Sequence, residues 1–576
     1  MLPHSETNQS RSQNYTQPSG RDTQAADIYL TAIRRAAIPV LSIMDREPFS
    51  PTLGCMDRTY WAWKFTDFPG ARFQEGLCYL SFLYATPFED NHYYQKPNLL
   101  QWIVNGCDYW SSIQYSRGEF DEAYPFERSL AATAFSSFYI SEAWNFINTA
   151  MPSDASARLK QTLLRAGNWL ASNDETHGFL SNHLAAAAAA LYHIYLISGE
   201  IRFAERSRYF IEKILNHQSK EGWYEEYGGA DPGYQTHGSF YLARYLDLSA
   251  DTRLLNSLNN SFNFLAHFIH PDGSIGGEYA SRNTQTYYPA AFEMSSGISG
   301  AARWIAEEML SSVDDLSAAG LGTVDNYNFF PLLNNYVFAY LACQKAAHHK
   351  VKPAAPSPEP NNIHFPDAGI LKVRSRNYDL FIGLTKGGVL KAFDRQNHRL
   401  ILNDCGYLGL LRNGSLISSQ WVDKDRKIEI SNQEITIEGA FYQISKTVMQ
   451  PFPFVGFRLF SLTLGRIPSI SYWLKSILVK VLIYRRRVLD MHLQRRILLQ
   501  PERIVVKDTI HGSIGKKIKT LKWVELFTTI HMGSSRYFIP NELETNEIYG
   551  SHDVNISQLQ GGITLEREYT ISAAHE

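Results

Sequence analysis

The sequence predicts an α+β multidomain protein, with an N-terminal (α/α) toroid of helical hairpins followed by an antiparallel β-sandwich. Three observations predict it. From residue 26 to 349 apolar residues recur at the 3.6-residue period of amphipathic helices. A Pro-rich run, KVKPAAPSPEPNN at 350–362, breaks that pattern and reads as a linker. Over 363–576 the grammar changes to alternating, β-branched runs. At 576 residues the chain is too long for one ordinary core, so two domains are expected.

Residues 1–25 are polar and lack the apolar run of a signal peptide, so a disordered lead-in and a cytoplasmic location are expected. Helical periodicity follows in DIYLTAIRRAAIPVLSIM, RSLAATAFSSFYISEAWNFI, ARLKQTLLRAGNWLASN, FAERSRYFIEKILNHQ and RLLNSLNNSFNFLAHFI. Short Gly, Pro and Asp-rich loops such as HPDGSIGGEY join them, as stacked helix pairs require. Beyond the linker, YDLFIGLT, RKIEISNQEITIEGAFYQISKTV and RRILLQPERIVVKDTI read as strands. Residues 472–487, YWLKSILVKVLIYRRR, are apolar but too often interrupted by charge to span a membrane. They read either as a β-hairpin or insertion packed on its own domain, with snorkelling lysines, or as a basic amphipathic element in peripheral contact with a membrane surface.

Composition excludes several classes. A net charge of −2 offers no global field for nucleic acid, so no nucleic-acid partner is expected. The five cysteines form no CxxC pair and are odd in number, which argues against a disulfide framework and a clustered zinc site. Neither a metal nor a cofactor is expected. Aromatic residues reach 13%, and flat aromatic faces suit both a tyrosine-rich core and sugar rings.

Chemistry-bearing residues gather in a few loops of the helical half. SNHLAAAAAALYHIY opens a bare helix with Asn182 and His183; Asn182 is suited to cap it, and the helix start also favours an anion. GWYEEYGGADPGYQTHGSFYLARY carries aromatics including Tyr227, paired acids, and a Pro-Gly break before Tyr234, with His237 on the same helical face. GGEYASRNTQTYYPAAFE sets Arg282 and Asn283 in a polar, tyrosine-rich loop. EFDEAYPFERS places Glu127 and Arg128 at another helix start, where acids commonly cap.

Asn-His before a helix, followed about fifty residues later by Pro-Gly-Tyr, resembles the heparinase II/III-like polysaccharide lyases of the alginate and heparan lyase type. The resemblance covers residues 40–576, through SNHL and ADPGYQTHGSFYLARY. It implies an acidic, uronate-containing glycan as substrate. It assigns Asn182 to neutralising the uronate carboxylate, His183 to the adjacent histidine used by some members, and Tyr234 to catalysis. In β-elimination the C5 proton leaves only when the carboxylate charge is neutralised and the resulting anion stabilised. Asn182, with Arg282 or Arg128, can supply those hydrogen bonds. A tyrosinate or histidine then takes the proton, and Tyr234 can return one to the leaving oxygen. Tyrosine ionises near ~10, so a basic role needs positive charge beside it, from His237 or an arginine. Asn283, Glu127 and Tyr227 complete the expected substrate contacts.

Two departures accompany the resemblance. The family's histidine-rich sandwich strand corresponds to TKGGVLKAFDRQNHRLILNDCGYLG, where Gly and Lys391 replace the histidines and His398 is the nearest. The N-terminus lacks an export signal, as noted. The readings left open are a lyase, a uronate C5-epimerase that reprotonates the opposite face, and a non-catalytic glycan-binding or polysaccharide assembly protein. A glycoside hydrolase using Asp121, Glu225, Glu226 and Asp231 is a fourth.

Overall fold

A computed structural model describes residues 20–175, 178–226, 228–315, 317–345, 351–444, 450–479, 486–513, 517–525, 536–538, 542–543, 551–559 and 562–571. The first nineteen residues of the expected lead-in lie outside the described residues, as do Tyr227 and residues 480–485 of the basic apolar segment.

Helices fill the first half: α1 (Gly20–Ile43), α2 (Gly76–Ala85), α3 (Pro97–Ser112), α4 (Leu130–Ile147), α5 (Ser153–Ser172), α6 (Ser181–Ser198) and α7 (Ile201–His217). They continue with α8 (Pro232–Ser249), α9 (Arg253–Ala266), α10 (Ala290–Ser295), α11 (Gly300–Glu308), the single turn α12 (Ser312–Asp315) and α13 (Asn326–Gln344). Neighbour packing runs α2–α4–α6–α8–α10–α13 and back to α2, which closes an inner ring. The intervening helices form the outer layer: α3, α5, α7, α9, α11 and α1 each pack on inner-ring or neighbouring outer helices.

The alanine run now has a physical reason. Ala185 to Ala190 are all fully buried, because α6 is enclosed by α4, α5, α7 and α8. A helix surrounded on every side cannot be amphipathic, and methyl side chains let its neighbours approach closely. Outer helices show the opposite pattern: α7 and α9 bury one stripe and expose the other.

After the linker, β1 (Asn361–Phe365), β2 (Ile370–Arg374), β3 (Tyr378–Gly383), β4 (Val389–Asp394) and β5 (Arg399–Asp404) form an antiparallel meander. The second sheet comprises β6 (Tyr407–Leu411), β7 (Leu416–Ser418), β8 (Lys427–Ile430), β9 (Glu434–Ile444), β10 (Arg487–Leu499), β11 (Arg503–Gly512), β12 (Ile518–Val524), β13 (Ser551–Asp553) and β14 (Ile563–Thr570). Its order is β13-β12-β6-β7-β9-β10-β11-β14, with β8 added on β9.

The middle strands β2, β3 and β4 are buried on both faces, and strand alternation assigns each residue its side. Leu380, Ile382, Leu390 and Ala392 pack with Ile437, Ile497 and Val506 of the second sheet. The intervening Phe381, Val389 and Phe393 belong to the toroid core. Lys391 shares their face and pairs with Glu278 of the toroid at 3.0 Å. Lys391 therefore fastens the two domains together. Lys386 donates to the Ala280 carbonyl at 2.6 Å and Lys372 to that of His267 at 2.6 Å, adding to the seam.

The apolar segment differs from the β-hairpin expectation. Between β9 and β10 the described residues form two α-helices, α14 (Pro451–Leu462) and α15 (Pro468–Val479), and these contact the toroid. Short apolar runs do not distinguish helix from strand, and Pro451 and Pro468 at the helix starts favour the former. Among the described residues no helix is long and apolar enough to cross a membrane.

Candidate active site at the toroid rim

Inner helices run parallel to one another, so the N-termini of α4, α6, α8, α10 and α13 share one rim, and this rim faces the sandwich. Contacts from the starts of α4 and α13 and from the loop before α10 to the second half bear this out: Arg128 to the α14–α15 turn, Asn328 to Tyr537, and Glu278 to Lys391. Helix N-termini carry unpaired N–H groups and partial positive charge, a setting that favours anions.

At the start of α6, Leu180 occupies the cap position and offers no side-chain acceptor. Acceptors come from the 222–231 loop instead. Glu225 C=O accepts from Ser181 Oγ at 2.8 Å, and the Glu226 carboxylate accepts from the Asn182 backbone N–H at 2.8 Å. Asn182 therefore does not cap its own helix. Among the described residues its side chain makes no hydrogen bond, and its Oδ1 is buried. Burial pushes the Glu226 carboxyl up to about 8, against the opposing pull of Arg282 and the Asn182 N–H.

α8 starts with Asp231, whose Oδ1 accepts from the Tyr234 N–H at 3.0 Å, and Pro232 in the first turn. The second Asp231 oxygen accepts from the Arg282 N–H at 2.9 Å and the Thr284 N–H at 3.4 Å. One carboxylate thus ties the tyrosine helix to the Arg282 loop. That loop is drawn in tightly: a side chain at Gly233 would meet the Thr284 carbonyl at 2.5 Å, and Asn283 takes a left-handed φ of 67°. Asn283 Oδ1 and Thr284 Oγ1 are buried without a hydrogen-bond partner among the described residues. The Arg282 guanidinium lies 4.0 Å from the centroid of the half-buried Tyr234 ring.

Phe135 of α4 gathers the remaining groups. Arg72 lies 4.8 Å over its ring, His183 meets it edge-on at 5.5 Å, and His237 stacks at 5.9 Å. His183 Nδ1 is 3.0 Å from a Glu175 carboxylate oxygen. That contact selects the tautomer with Nδ1–H donated to Glu175 and a free lone pair on Nε2. His237 is enclosed, stacked on Tyr288 at 4.2 Å and 2.9 Å from the Tyr241 hydroxyl. Burial, then the positive charge of Arg72, holds its pKa well below the ordinary histidine range. The imidazole is neutral, so the positive charge beside Tyr234 comes from Arg282 and not from His237.

Arg72, Glu75 and Glu122 escaped the sequence reading. Arg72 bridges Glu75 at 2.9 Å and Glu122 at 3.2 Å. Burial pushes Glu75 up to about 7 despite Arg72, whereas Arg72, His183 and Lys475 together outweigh burial and lower Glu122. The Arg72–Glu75 spacing of three was the available signal, and it reads as an ordinary surface helix pair.

Glu127 and Arg128 stand apart from the Asn182–Tyr234 group. Ser129, not an acid, caps α4. Glu127 accepts from the Glu122 and Ala123 N–H groups and pairs with Lys475 of α15 at 3.0 Å. Arg128 donates to Glu119 at 3.1 Å and to the Gly465 and Arg466 carbonyls at 3.1 and 2.7 Å. Both residues anchor the helical insertion. The carboxylates considered for glycoside hydrolysis are similarly committed: Asp231 binds backbone N–H groups as above, and Asp121 accepts from the Phe126 and Arg128 N–H groups and the Tyr115 hydroxyl. Among the described residues no group of three or more His, Cys, Asp or Glu side chains is placed to hold a metal.

Comparison with known proteins follows this geometry. Residues 104–307 match the family model of the ulvan lyase N-terminal domain. They span α4, α6 and α8 and so include Asn182, His183, Tyr234 and Arg282. Among solved structures, the chain is similar to a Paenibacillus xanthan lyase with a TM-score of 0.53 and 11% identity, over 89% of this chain and 47% of that one. It is similar to the chondroitin AC lyase of Streptomyces coelicolor A3, solved with chondroitin sulphate, with a TM-score of 0.53 and 12% identity, over 90% of this chain and 69% of that one. The chain therefore spans about half the length of the xanthan lyase. No curated protein sequence matches it. The chain shares its fold of helical toroid plus β-sandwich with these lyases, and its residues 104–307 match the ulvan lyase N-terminal domain.

Proposed function

We propose that the protein is a polysaccharide lyase that cleaves a uronate-containing glycan by C5 proton abstraction and β-elimination. The observation that carries this reading is the Arg282–Tyr234 stack beside an Asn182 side chain left without an internal partner. A uronate carboxylate at the start of α6 would meet the Asn182 amide and the helix N-terminus, with Arg72 and Arg282 supplying charge. With its charge neutralised, the C5–H bond breaks toward a base. His183 Nε2, freed by the Nδ1 contact to Glu175, suits that role. The electron pair forms the C4–C5 double bond as the C4–O bond breaks, and the Tyr234 hydroxyl gives its proton to the departing oxygen. Arg282 over the ring stabilises the phenolate that results. An acidic glycan is favoured because the structurally similar chondroitin AC lyase holds chondroitin sulphate.

Incubation with a panel of uronate glycans in heavy water tests the proposal. The expected result is ultraviolet absorbance from the conjugated double bond, reduced about 10²–10⁴-fold in Tyr234→Phe with folding and glycan binding retained. Deuterium at C5 without absorbance would make the protein an epimerase. Silence in both channels, with glycan still bound, would make it a binding protein.

A further inference from the structure

We infer that the α14–α15 segment docks the protein on an anionic lipid bilayer surface. The two helices turn one side to the toroid and leave the other without a partner. Phe452, Val455 and Leu459 follow one another at helical spacing along α14 and are 90%, 55% and 60% exposed. Leu464 in the connecting turn is exposed as well, as are Trp473 and Ile477, one turn apart on α15. Single exposed apolar residues need no explanation, but a row at helical spacing on α14 followed by further large ones on α15 does. The opposite side of α15 is already engaged, since Lys475 points to Glu127 while Trp473, two residues earlier, points outward.

Charge identifies the occupant. From Lys446 to Leu489 the chain holds eight lysines and arginines and no aspartate or glutamate. Arg486 and Arg487, where the insertion returns to the sandwich, are exposed. Arg458 and Lys475 are taken by Asp67 and Glu127 of the toroid, and exposed apolar side chains including Trp and Phe in a segment whose remaining charges are all basic match the interfacial zone of a bilayer with anionic headgroups. A symmetric contact between two copies would bring the same basic edge together with itself, which disfavours a dimer. The helices are twelve residues each, which suits lying in the interface and not spanning it. The inference is independent of the proposed catalytic chemistry, because it uses none of those residues.

The test is co-sedimentation of the full chain with vesicles of equal parts phosphatidylcholine and phosphatidylglycerol, against phosphatidylcholine alone. Pelleting is expected with the mixed vesicles only, weakening as salt is raised. Each neutralisation, Arg486→Gln or Arg487→Gln, should weaken binding about fivefold, and both together about 25-fold. Phe452→Ser with Leu459→Ser and Trp473→Ser should abolish it at unchanged melting temperature. No pelleting, or equal pelleting with both vesicle types, would overturn the inference. So would a concentration-dependent dimer in sedimentation velocity that Leu459→Ser dissolves.

Discussion

Arg282, from a loop, and Tyr234, from the first turn of α8, meet face to ring at 4.0 Å, held there because Asp231 caps the tyrosine's helix and accepts from the arginine's own N–H. A desolvated cation over an aromatic face is worth up to about 2 kcal/mol. If that contact stabilises a phenolate only during the reaction, Arg282→Gln should lower kcat about 10- to 30-fold and leave KM nearly unchanged. Initial rates by ultraviolet absorbance decide it. A raised KM with unchanged kcat would make Arg282 a binding residue only.

Glu226 gives a pH signature. Its carboxyl is raised to about 8 in the folded chain from an ordinary 4.5. A raised pKa means the folded state favours the protonated form. Its contribution to stability is complete below about 4.5 and is lost as pH rises through about 8. Glu226→Gln removes this dependence. The melting temperature of the parent chain should therefore fall relative to that of Glu226→Gln between pH 5 and pH 8.5, by thermal unfolding.

The Lys475–Glu127 pair links the sandwich insertion to the toroid, with both side chains largely buried. Lys475→Met leaves Glu127 without its cation in a dry site and should cost about 3 kcal/mol by urea unfolding. Adding Glu127→Gln should recover part of that loss. Equal destabilisation in the single and double variants would show that the two charges do not act as a pair.

A second buried network lies within the sandwich. Arg495, fully buried, contacts Asp404 at 3.0 Å and Asp508 at 2.7 Å, and Arg567 joins the same two acids. Arg495 and Arg567 hold Asp508 down to about 2, so its contribution is present above about 3.8 and lost as pH falls through about 2. Arg495→Met should cost about 3–5 kcal/mol and raise the pH at which the sandwich unfolds in acid, followed by circular dichroism.

Legibility in the sequence followed the range of each interaction. Helix period, the proline linker and strand alternation are local, and they led to the toroid, the sandwich and the Asn182, Tyr234 and Arg282 loops. What escaped depended on contacts distant in the chain. Asn182 reads as its own cap, yet a carboxylate 44 positions on does that work. His237 reads as a candidate cation until Phe135, Tyr288 and Tyr241 close around it. Arg72 and Glu122 read as surface charges until α2 and α4 become ring neighbours. The 472–487 run was ambiguous because an apolar stretch of that length carries no period that separates helix from strand.

The helical insertion leaves the second sheet after Ile444 and returns at Arg487, and the ladder resumes with Gln443 opposite Arg487 and Tyr442 opposite Val488. Departure and return are thus neighbours on adjacent rungs. A cassette attached at such a point can be gained or excised as one block without shifting the register of either strand. Replacing it with a tight turn would yield a smaller chain that keeps both sheets and the ring of helices and leaves Glu127 and Arg128 at an uncovered rim. Evolution and the laboratory can therefore vary where the protein works separately from what its ring of helices does.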